Sequence, residues 1–373
     1  MTISETFSEA VSLPNRWINA SKNQGKKVLG YFCSYIPEEI MTAGGFQPLR
    51  MRAWGCTDTP MGDAYMSSTT CSFTRCVLEL ASEEKYDFLD GLIAYNSCDQ
   101  IRRLYDNIRF KAPFPYQYFI SVPCTQTAVT LDWFNHELVK FKEDLEKHFL
   151  VSIEEKNLKE AIRLQNETRS LFERLYDLRK KEAPPVSGSE VLKIFLASVS
   201  MPVQEFNPLL KKQLEDLEKS EGLSGFRARI MLIGSHLDEP EFIDIIEEQG
   251  GLVVTDSLCF GNRFFRNQVD ENTEPLSALA ERYLNKISCP RMSGGQADRT
   301  RFIMDQIKEF KVDGVVIERM KFCPIWWGEA YIIRDELKKE GIPCLELERE
   351  YVLSGAGAIK TRVQAFMETL EGR

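Results

Sequence analysis

The sequence predicts an α/β fold with two Rossmann-like parallel-sheet domains and a helical connector between them. Strand–turn–helix patterns recur near both ends of the chain, and a long charged helical stretch separates them. The length of 373 residues also exceeds what one ordinary core holds. We expect an N-terminal α/β domain at 1–131, the connector at 132–224 and a C-terminal α/β domain at 225–373.

The N-terminal block alternates apolar strand-like runs with helix-like segments. The run from Val28 to Phe32 predicts a strand, and a helix is expected to begin near Pro37, because proline suits the first helical turn. A second strand is expected from Gly91 to Tyr95, followed by a turn that holds Cys98 and by a basic helix. The segment YQYFISVPC predicts a further strand that ends at Cys124.

The connector has long helical periodicity from about Asp132 to Leu217 and is dense in Glu, Lys and Arg. We expect Asn166, Glu167 and Arg169 to lie on its surface, because a charged helical stretch is usually solvated.

The C-terminal block repeats the scheme of the N-terminal block. FRARIMLIGSHLDEPEF predicts a strand and a loop, and FIDIIEEQGGLVVTDSLCFG predicts a helix, a turn and a strand. A further strand, loop and helix are expected in VDGVVIERMKFCPIWWGEAYIIRDELKKEGIPCLELEREY, and Gly250, Gly251 and Gly341 lie where helices should end. The two halves therefore resemble each other in architecture, without a repeat at the level of residues.

Composition and charge narrow the classes of function. Hydrophobic residues make up 43% of the chain and charged residues 28%, as is typical of a globular protein. The formal charge of −9 and the pI near 5.2 argue against a nucleic-acid partner, which usually requires a basic surface. No stretch resembles a membrane span or a signal peptide. We therefore expect a cytoplasmic protein with no nucleic-acid or membrane partner.

Ten cysteines are the most informative residues of the sequence. Disulfides are not expected in the cytoplasm, so these thiols are either buried in cores or ligands of a metal. Cys98, Cys259 and Cys323 follow predicted strands and Cys71 begins a predicted helix, where α/β proteins gather functional groups. Thiolates are the usual ligands of 4Fe–4S clusters. The sequence contains no C-x-x-C pair, so such a site must be assembled across domains.

Several short motifs together resemble the 2-hydroxyacyl-CoA dehydratase and benzoyl-CoA reductase superfamily over nearly the whole chain. The length and the final segment are most similar to a smaller cluster-bearing subunit of ATP-dependent benzoyl-CoA reductases. The motifs are GYFCSYIPEEIMTAGG, TTCSFTRC, YNSCDQIRR, DSLCFGNRFF, KFCPIWWGEAY and LEREYVLSGAGAIKTRVQAF.

The resemblance implies a 4Fe–4S cluster between the two α/β domains, held by three cysteines with one iron left open. The matching positions are Cys71 in TTCSF, Cys98 in NSCDQ and Cys323 in KFCPIWW. It also implies a homologous sister subunit, a separate ATP-hydrolysing electron activator, an upstream ferredoxin and an acyl-CoA substrate. The sequence has no G-x-x-x-x-G-K-[ST] loop, so ATP hydrolysis is expected on another chain.

A second set of cysteines resembles a branch of this superfamily with a double-cubane 8Fe–9S cluster. Cys33, Cys259 and Cys289 match that branch, and together with the first three they supply three thiolates for each cubane. The sequence leaves both a single 4Fe–4S cluster and the double cubane open. Burying so much negative charge requires compensation, which we expect from amides and from Arg263.

The resemblance leaves three functions open. The chain is expected to be the iron–sulfur subunit of a benzoyl-CoA reductase that converts an aromatic acyl-CoA to a dienoyl-CoA. The alternatives are a subunit of a 2-hydroxyacyl-CoA dehydratase, which is a lyase, and a double-cubane relay without its own substrate site. No catalytic residue is assigned, although His236 ends a predicted strand, and Trp326 and Trp327 are placed to shield a cluster from water.

Overall fold

The computed structural model describes residues 3–353 and 355–372. Two four-stranded, all-parallel sheets form its framework, which agrees with the predicted α/β class. The first sheet contains β1 (Val28–Tyr31), β2 (Gln47–Arg50), β3 (Gly91–Tyr95) and β4 (Tyr116–Ile120). The second sheet contains β5 (Ala228–Gly234), β6 (Gly251–Ser257), β7 (Gly314–Met320) and β8 (Cys344–Arg349).

Helices flank both sheets and fill the region between them in sequence. The helices up to the end of the first sheet are α1 (Ile3–Ala10), α2 (Arg16–Asn23), α3 (Glu38–Ala43), α4 (Pro60–Tyr65), α5 (Ser72–Ser82) and α6 (Asp99–Lys111). Four helices then precede the second sheet, namely α7 (Ala128–Phe149), α8 (Glu155–Leu178), α9 (Gly188–Ser198) and α10 (Val203–Glu218). The remaining helices are α11 (Pro240–Glu247), α12 (Asn262–Phe265), α13 (Pro275–Asn285), α14 (Gln296–Glu309), α15 (Pro324–Lys339) and α16 (Ala356–Glu371).

The two sheets share one strand order. The strand order is β2-β1-β3-β4 in the first sheet and β6-β5-β7-β8 in the second. In each sheet the first strand is an interior strand, the second is added on one side of it, and the third and fourth are added on the other side, so the strand order reverses after the second strand. In sheets of this kind a crevice forms at the carboxyl ends of the two strands that flank the reversal. These strands are β1 and β3 in one half of the molecule and β5 and β7 in the other.

Local sequence signals agree with most of the predicted elements. Pro37 directly precedes α3, and β1 and β3 cover nearly the expected ranges. Gly250 and Gly341 follow α11 and α15 with positive φ of 89° and 69°, a backbone conformation that glycine adopts without strain. Gly251 instead begins β6.

The expectation that the middle of α8 faces solvent is wrong for two of its three residues. Asn166 and Arg169 are both 4% exposed, whereas Glu167 is half-buried. Arg169 donates to Glu39 on α3 at 2.5 Å, and Asn166 donates to the backbone carbonyl of Val269 at 2.8 Å. Asn166 and Arg169 are buried because each has a hydrogen-bonding partner on a neighbouring segment.

None of the helices in residues 3–353 and 355–372 is long and apolar enough to cross a bilayer.

Candidate iron–sulfur site

A cavity of about 120 Å³ lies between the carboxyl ends of the two sheets and is lined from both halves of the chain. Six of the ten cysteines line it, and they are the six that the sequence singled out: Cys33, Cys71, Cys98, Cys259, Cys289 and Cys323. The other four, Cys56, Cys76, Cys124 and Cys344, are not among the lining residues. The strands and helices thus gather thiols that lie far apart in sequence.

Three of these thiols begin helices, and we call them the helix-capping trio. Cys71, Cys98 and Cys323 are the N-cap residues of α5, α6 and α15. Backbone amides of the first helical turn favour the thiolate and act to lower the thiol pKa, those of Phe73 and Thr74 at Cys71, of Gln100 and Ile101 at Cys98, and of Trp326 at Cys323, although none of the three sulfurs accepts a capping hydrogen bond. Unpaired amides and the helix dipole favour negative charge at this end of a helix.

One side chain ties the three segments of the helix-capping trio together. Gln100 accepts a hydrogen bond from the Cys71 amide at 2.9 Å and donates to the carbonyl of Phe322 at 2.7 Å. It lies two residues after Cys98, and Phe322 directly precedes Cys323. Sequence reasoning missed this role, although Gln100 belongs to the NSCDQ motif.

Burial keeps the helix-capping thiols protonated when no cation is bound. Burial and the neighbouring Cys98 raise the pKa of Cys71 to about 12. Burial is also the main reason that the pKa values of Cys98 and Cys323 lie above the usual thiol range. A bound metal deprotonates a coordinating thiol outright, so the raised pKa values do not prevent these three cysteines from acting as ligands.

The other three thiols lie in loops, and we call them the loop trio. Cys33 follows β1, Cys259 follows β6, and Cys289 lies between α13 and α14. The Tyr95 hydroxyl donates to the sulfur of Cys33 at 3.0 Å, and the Cys289 amide donates to the Tyr35 hydroxyl at 3.1 Å. Hydrogen bonds with two tyrosine hydroxyls, one donating and one accepting, therefore help to fix this part of the cavity wall.

Basic side chains surround the loop trio. Arg50, Arg263, Lys286 and His236 all line the cavity, and burial lowers the pKa of Lys286 well below its usual value. Burial alone would raise the pKa of Cys259, but the charge of Arg50, the hydrogen bond and charge of His236, and the charge of Arg263 lower it to about 6. Burial raises the pKa of Cys289, with Arg263 acting in the opposite direction.

Two of these basic side chains, Arg50 and Arg263, are buried and have N–H groups without a hydrogen-bond partner among the described residues. The Arg50 Nε, the Arg263 Nε and the Arg263 Nη1 have no hydrogen-bond partner among the described residues. Arg263 is 3% exposed, and its Nη2 donates to the carbonyl of Gly234 at 2.7 Å. Unpaired buried donors are costly, so this wall favours a negatively charged occupant. Of these basic side chains, the sequence pointed to Arg263 and His236 but not to Arg50 or Lys286.

His236 adds to the positive charge. It follows β5, as the sequence predicts, and its Nε2 lies 3.2 Å from the Oδ1 of Asp238. Burial alone would lower the pKa of His236, but Asp238 and Cys259 raise it to about 9. The imidazole is therefore protonated at neutral pH.

The donor set fits an iron–sulfur cluster better than a single metal ion. In the described ranges, no three His, Cys, Asp or Glu side chains converge closely enough to hold one ion. Thiols spread around a cavity suit a cluster in which each iron takes its own thiolate. With amides on one side and cations on the other, the residues present fit such a group.

The two neighbouring tryptophans differ. Trp326 is 5% exposed and lines the cavity, with the Arg263 guanidinium 4.8 Å from its ring centre. Trp327 is 70% exposed, so the expectation that it shields the site is wrong. Consecutive helical residues point about 100° apart, so only one of the pair can face the cavity.

Comparison with known proteins supplies the family. The sequence profile of 2-hydroxyglutaryl-CoA dehydratase, D-component, matches residues 33–370. The chain is 27% identical to a benzoyl-CoA reductase subunit of Thauera aromatica, over 87% of this chain and 85% of that one. It is 24% identical to the (R)-phenyllactyl-CoA dehydratase beta subunit of Clostridium sporogenes, over 98% and 97%. It is 21% identical to the beta subunit of (R)-2-hydroxyglutaryl-CoA dehydratase of Acidaminococcus fermentans, over 98% of both chains.

A profile match over most of the chain, together with thiols at every position that the motifs singled out, places this protein in the 2-hydroxyglutaryl-CoA dehydratase D-component family.

Proposed function

We propose that this chain is the iron–sulfur subunit of an ATP-dependent benzoyl-CoA reductase, which receives low-potential electrons for reduction of an aromatic acyl-CoA to a dienoyl-CoA. The observation that carries the proposal is the cavity between the two sheets, which six cysteines line. The similarity to the benzoyl-CoA reductase subunit of Thauera aromatica supports the reductase assignment.

In this proposal the helix-capping trio, Cys71, Cys98 and Cys323, holds a 4Fe–4S cluster. When bound, such a cluster supplies single electrons at low potential and, at an iron without a protein ligand, a site for substrate oxygen. The helix N-termini offset the negative charge of the thiolates. Phe32, Phe73 and Trp326 line the same cavity and exclude water from it.

The loop trio, Cys33, Cys259 and Cys289, holds the second half of a double-cubane 8Fe–9S cluster. Support comes from the charge of the surrounding wall, because Arg50, Arg263 and His236 lie where additional thiolates and sulfides require compensation. A single 4Fe–4S cluster on the helix-capping trio would leave the Cys259 thiolate as the one loop-trio anion that offsets these cations.

A 2-hydroxyacyl-CoA dehydratase subunit is the alternative function. The dehydratase relatives from Clostridium and Acidaminococcus align over 98% of this chain, against 87% for the reductase relative. A relay without its own substrate site is the third candidate. It is favoured by the absence of any carboxylate among the described residues that line the cavity, since carboxylates are common proton donors and acceptors.

The proposal includes partners. Relatives of this chain are named as subunits, which supports a homologous sister subunit. The sequence lacks a G-x-x-x-x-G-K-[ST] phosphate loop, which supports a separate ATP-hydrolysing electron activator that a ferredoxin supplies in the cytoplasm.

Electron stoichiometry tests the proposed function. The chain, its sister subunit and the activator are combined without oxygen, and acyl-CoA products are counted against electrons consumed. A reductase consumes electrons in proportion to dienoyl-CoA formed, whereas a dehydratase needs only catalytic amounts and releases water. Turnover that proceeds without ATP and without any electron donor would contradict both assignments.

A further inference from the structure

Two thiols outside the cavity contact each other. Cys76 lies on α5, five residues after Cys71, and is 0% exposed. Cys56 lies in the loop after β2 and is half-buried. Cys56 packs against the cluster of buried side chains that contains Cys76, its Sγ donates to the carbonyl of Asp58 at 3.1 Å, and the two thiols shift each other's pKa. Neither residue lines the six-cysteine cavity, so the pair is a separate feature of the molecule.

The segment that follows Cys56 is anchored to α5 on both sides of Cys76. Glu79 accepts hydrogen bonds from the amides of Met61 at 2.6 Å and Gly62 at 2.9 Å. Arg75 donates to the Oδ1 of Asp63 at 2.6 Å.

Gly62 adds a close backbone contact between this segment and α5. A Cβ atom at Gly62 would lie 2.5 Å from the carbonyl oxygen of Arg75, so only glycine permits the approach. These contacts fix the segment that follows Cys56 against the turns of α5 on either side of Cys76.

We propose that Cys56 and Cys76 form a redox-sensitive dithiol, which small-molecule disulfides convert to an intramolecular disulfide. The Cys56 thiolate attacks one sulfur of the small disulfide, breaks its S–S bond and releases one small thiolate. The Cys76 sulfur then attacks the Cys56 sulfur and expels the second small thiolate, which takes up the Cys76 proton. The protein pair loses two electrons and two protons, and one small disulfide becomes two thiols.

Accessibility sets the order of the two steps. Cys56 is the thiol that an external disulfide can reach, because Cys76 is completely covered. The hydrogen bond from Cys76 lowers the pKa of Cys56 against the opposing effect of burial, and the same hydrogen bond together with burial raises the pKa of Cys76. The exposed thiol therefore attacks and the buried thiol resolves the mixed disulfide.

The disulfide would join the loop after β2 to the helix that Cys71 begins. Oxidation of this pair would thus restrain α5, the helix whose first residues line the cavity, without using any of the six cavity cysteines. The proposal does not depend on the proposed function, because it concerns only Cys56, Cys76 and the segment between them.

Peptide mapping of the full-length protein tests the proposal. The protein is purified without oxygen, incubated with glutathione disulfide, alkylated with N-ethylmaleimide, and digested without reduction by trypsin and Asp-N. Cleavage before Asp58 separates Cys56 from Cys71, which otherwise share the tryptic peptide 53–75. We expect a disulfide-linked pair of peptides, 53–57 joined to 76–85, and its loss when a reductant is added before alkylation.

Two variants and one reference thiol complete the test. Cys76→Ala should retain glutathione on Cys56, because no thiol resolves the adduct, and Cys56→Ser should leave Cys76 free. The exposed Cys124 serves as the reference thiol. The concentration of glutathione disulfide is raised until Cys124 carries glutathione. Recovery of Cys56 and Cys76 as free thiols under those conditions, or equal oxidation of Cys76 in Cys56→Ser, would overturn the proposal.

Discussion

The helix-capping trio and the loop trio face the same cavity but differ in what offsets negative charge. Backbone amides at three helix N-termini surround Cys71, Cys98 and Cys323. Side-chain cations, among them Arg50 and Arg263, surround the loop trio. Amide compensation is part of the fold, whereas side-chain compensation can be removed one residue at a time. The two sides of the cavity can therefore be tested separately.

The two halves of the chain explain part of this difference. Cys98 and Cys323 each lie three residues after the third strand of their sheet, β3 and β7, so the architectural repeat preserves them.

The loop trio lacks this symmetry. Cys33 lies two residues after β1, where the other half has His236 two residues after β5. Cys259 lies two residues after β6, where the first half has Arg52 two residues after β2. A thiol in one half thus corresponds to a basic side chain in the other, and of these two basic side chains His236 lines the cavity whereas Arg52 does not.

The largest expected effect is on the helix-capping trio. Replacing Cys98 by Ala should abolish the iron–sulfur absorption spectrum or leave a damaged cluster, and with it the electron-dependent turnover of acyl-CoA. Iron and sulfide analysis of anaerobically purified protein measures the change. Cys344→Ala is the matched control, because Cys344 begins β8 outside the cavity. Full iron content after substitution of Cys71, Cys98 and Cys323 in turn would refute the assignment of these ligands.

Replacing one thiol of the loop trio should remove about half of the bound iron. Cys259→Ala is expected to remove the second cubane and leave about four iron atoms on the helix-capping trio. Iron analysis together with electron paramagnetic resonance of the reduced protein distinguishes loss of one cubane from loss of both. If Cys259→Ala retains all of its iron, the loop trio does not bind the second cubane.

The contribution of Arg263 to thermal stability should change sign when iron is removed. With the cluster bound, Arg263→Leu should lower the melting temperature, because the guanidinium offsets buried negative charge. In iron-free protein the same substitution should raise the melting temperature, since it removes a buried cation with unpaired donors. Thermal unfolding of both forms measures the effect.

Arg169→Leu is the control for this sign change. Arg169 is paired with Glu39 whether or not iron is present, so its loss should cost about 3–5 kcal/mol in both forms. A destabilising Arg263→Leu of equal size with and without iron would mean that Arg263 does not respond to an anionic occupant.

The smallest expected effect is on the bridge within the helix-capping trio. Gln100→Ala removes the hydrogen bonds to the Cys71 amide and the Phe322 carbonyl, so the ligands are held less firmly. Iron affinity should fall by about 10–100-fold while all thiols remain. Competition with an iron chelator measures it, and Gln364→Ala on the exposed face of α16 is the control. Equal chelator resistance in both variants would exclude a positioning role for Gln100.

Much of the fold and of the thiol placement follows from sequence, because both depend on local signals. Apolar runs predict the strands, and a cysteine directly after a strand is carried to the carboxyl edge of the sheet. The position of Arg50 at the cavity could not be found in this way, because Arg50 and Cys259 are 209 residues apart and meet only in the folded chain. The burial of Arg169 was missed for the same reason, since its partner Glu39 lies 130 residues earlier.

The central claim is that each trio holds one cubane, and metal content tests it most directly. The full-length protein should be purified without oxygen, and its iron and acid-labile sulfide should be measured against protein concentration from amino-acid analysis. The account predicts about eight iron atoms per chain, four for each cubane. About four iron atoms per chain in fully loaded protein, with the loop trio still open to alkylation, would contradict it.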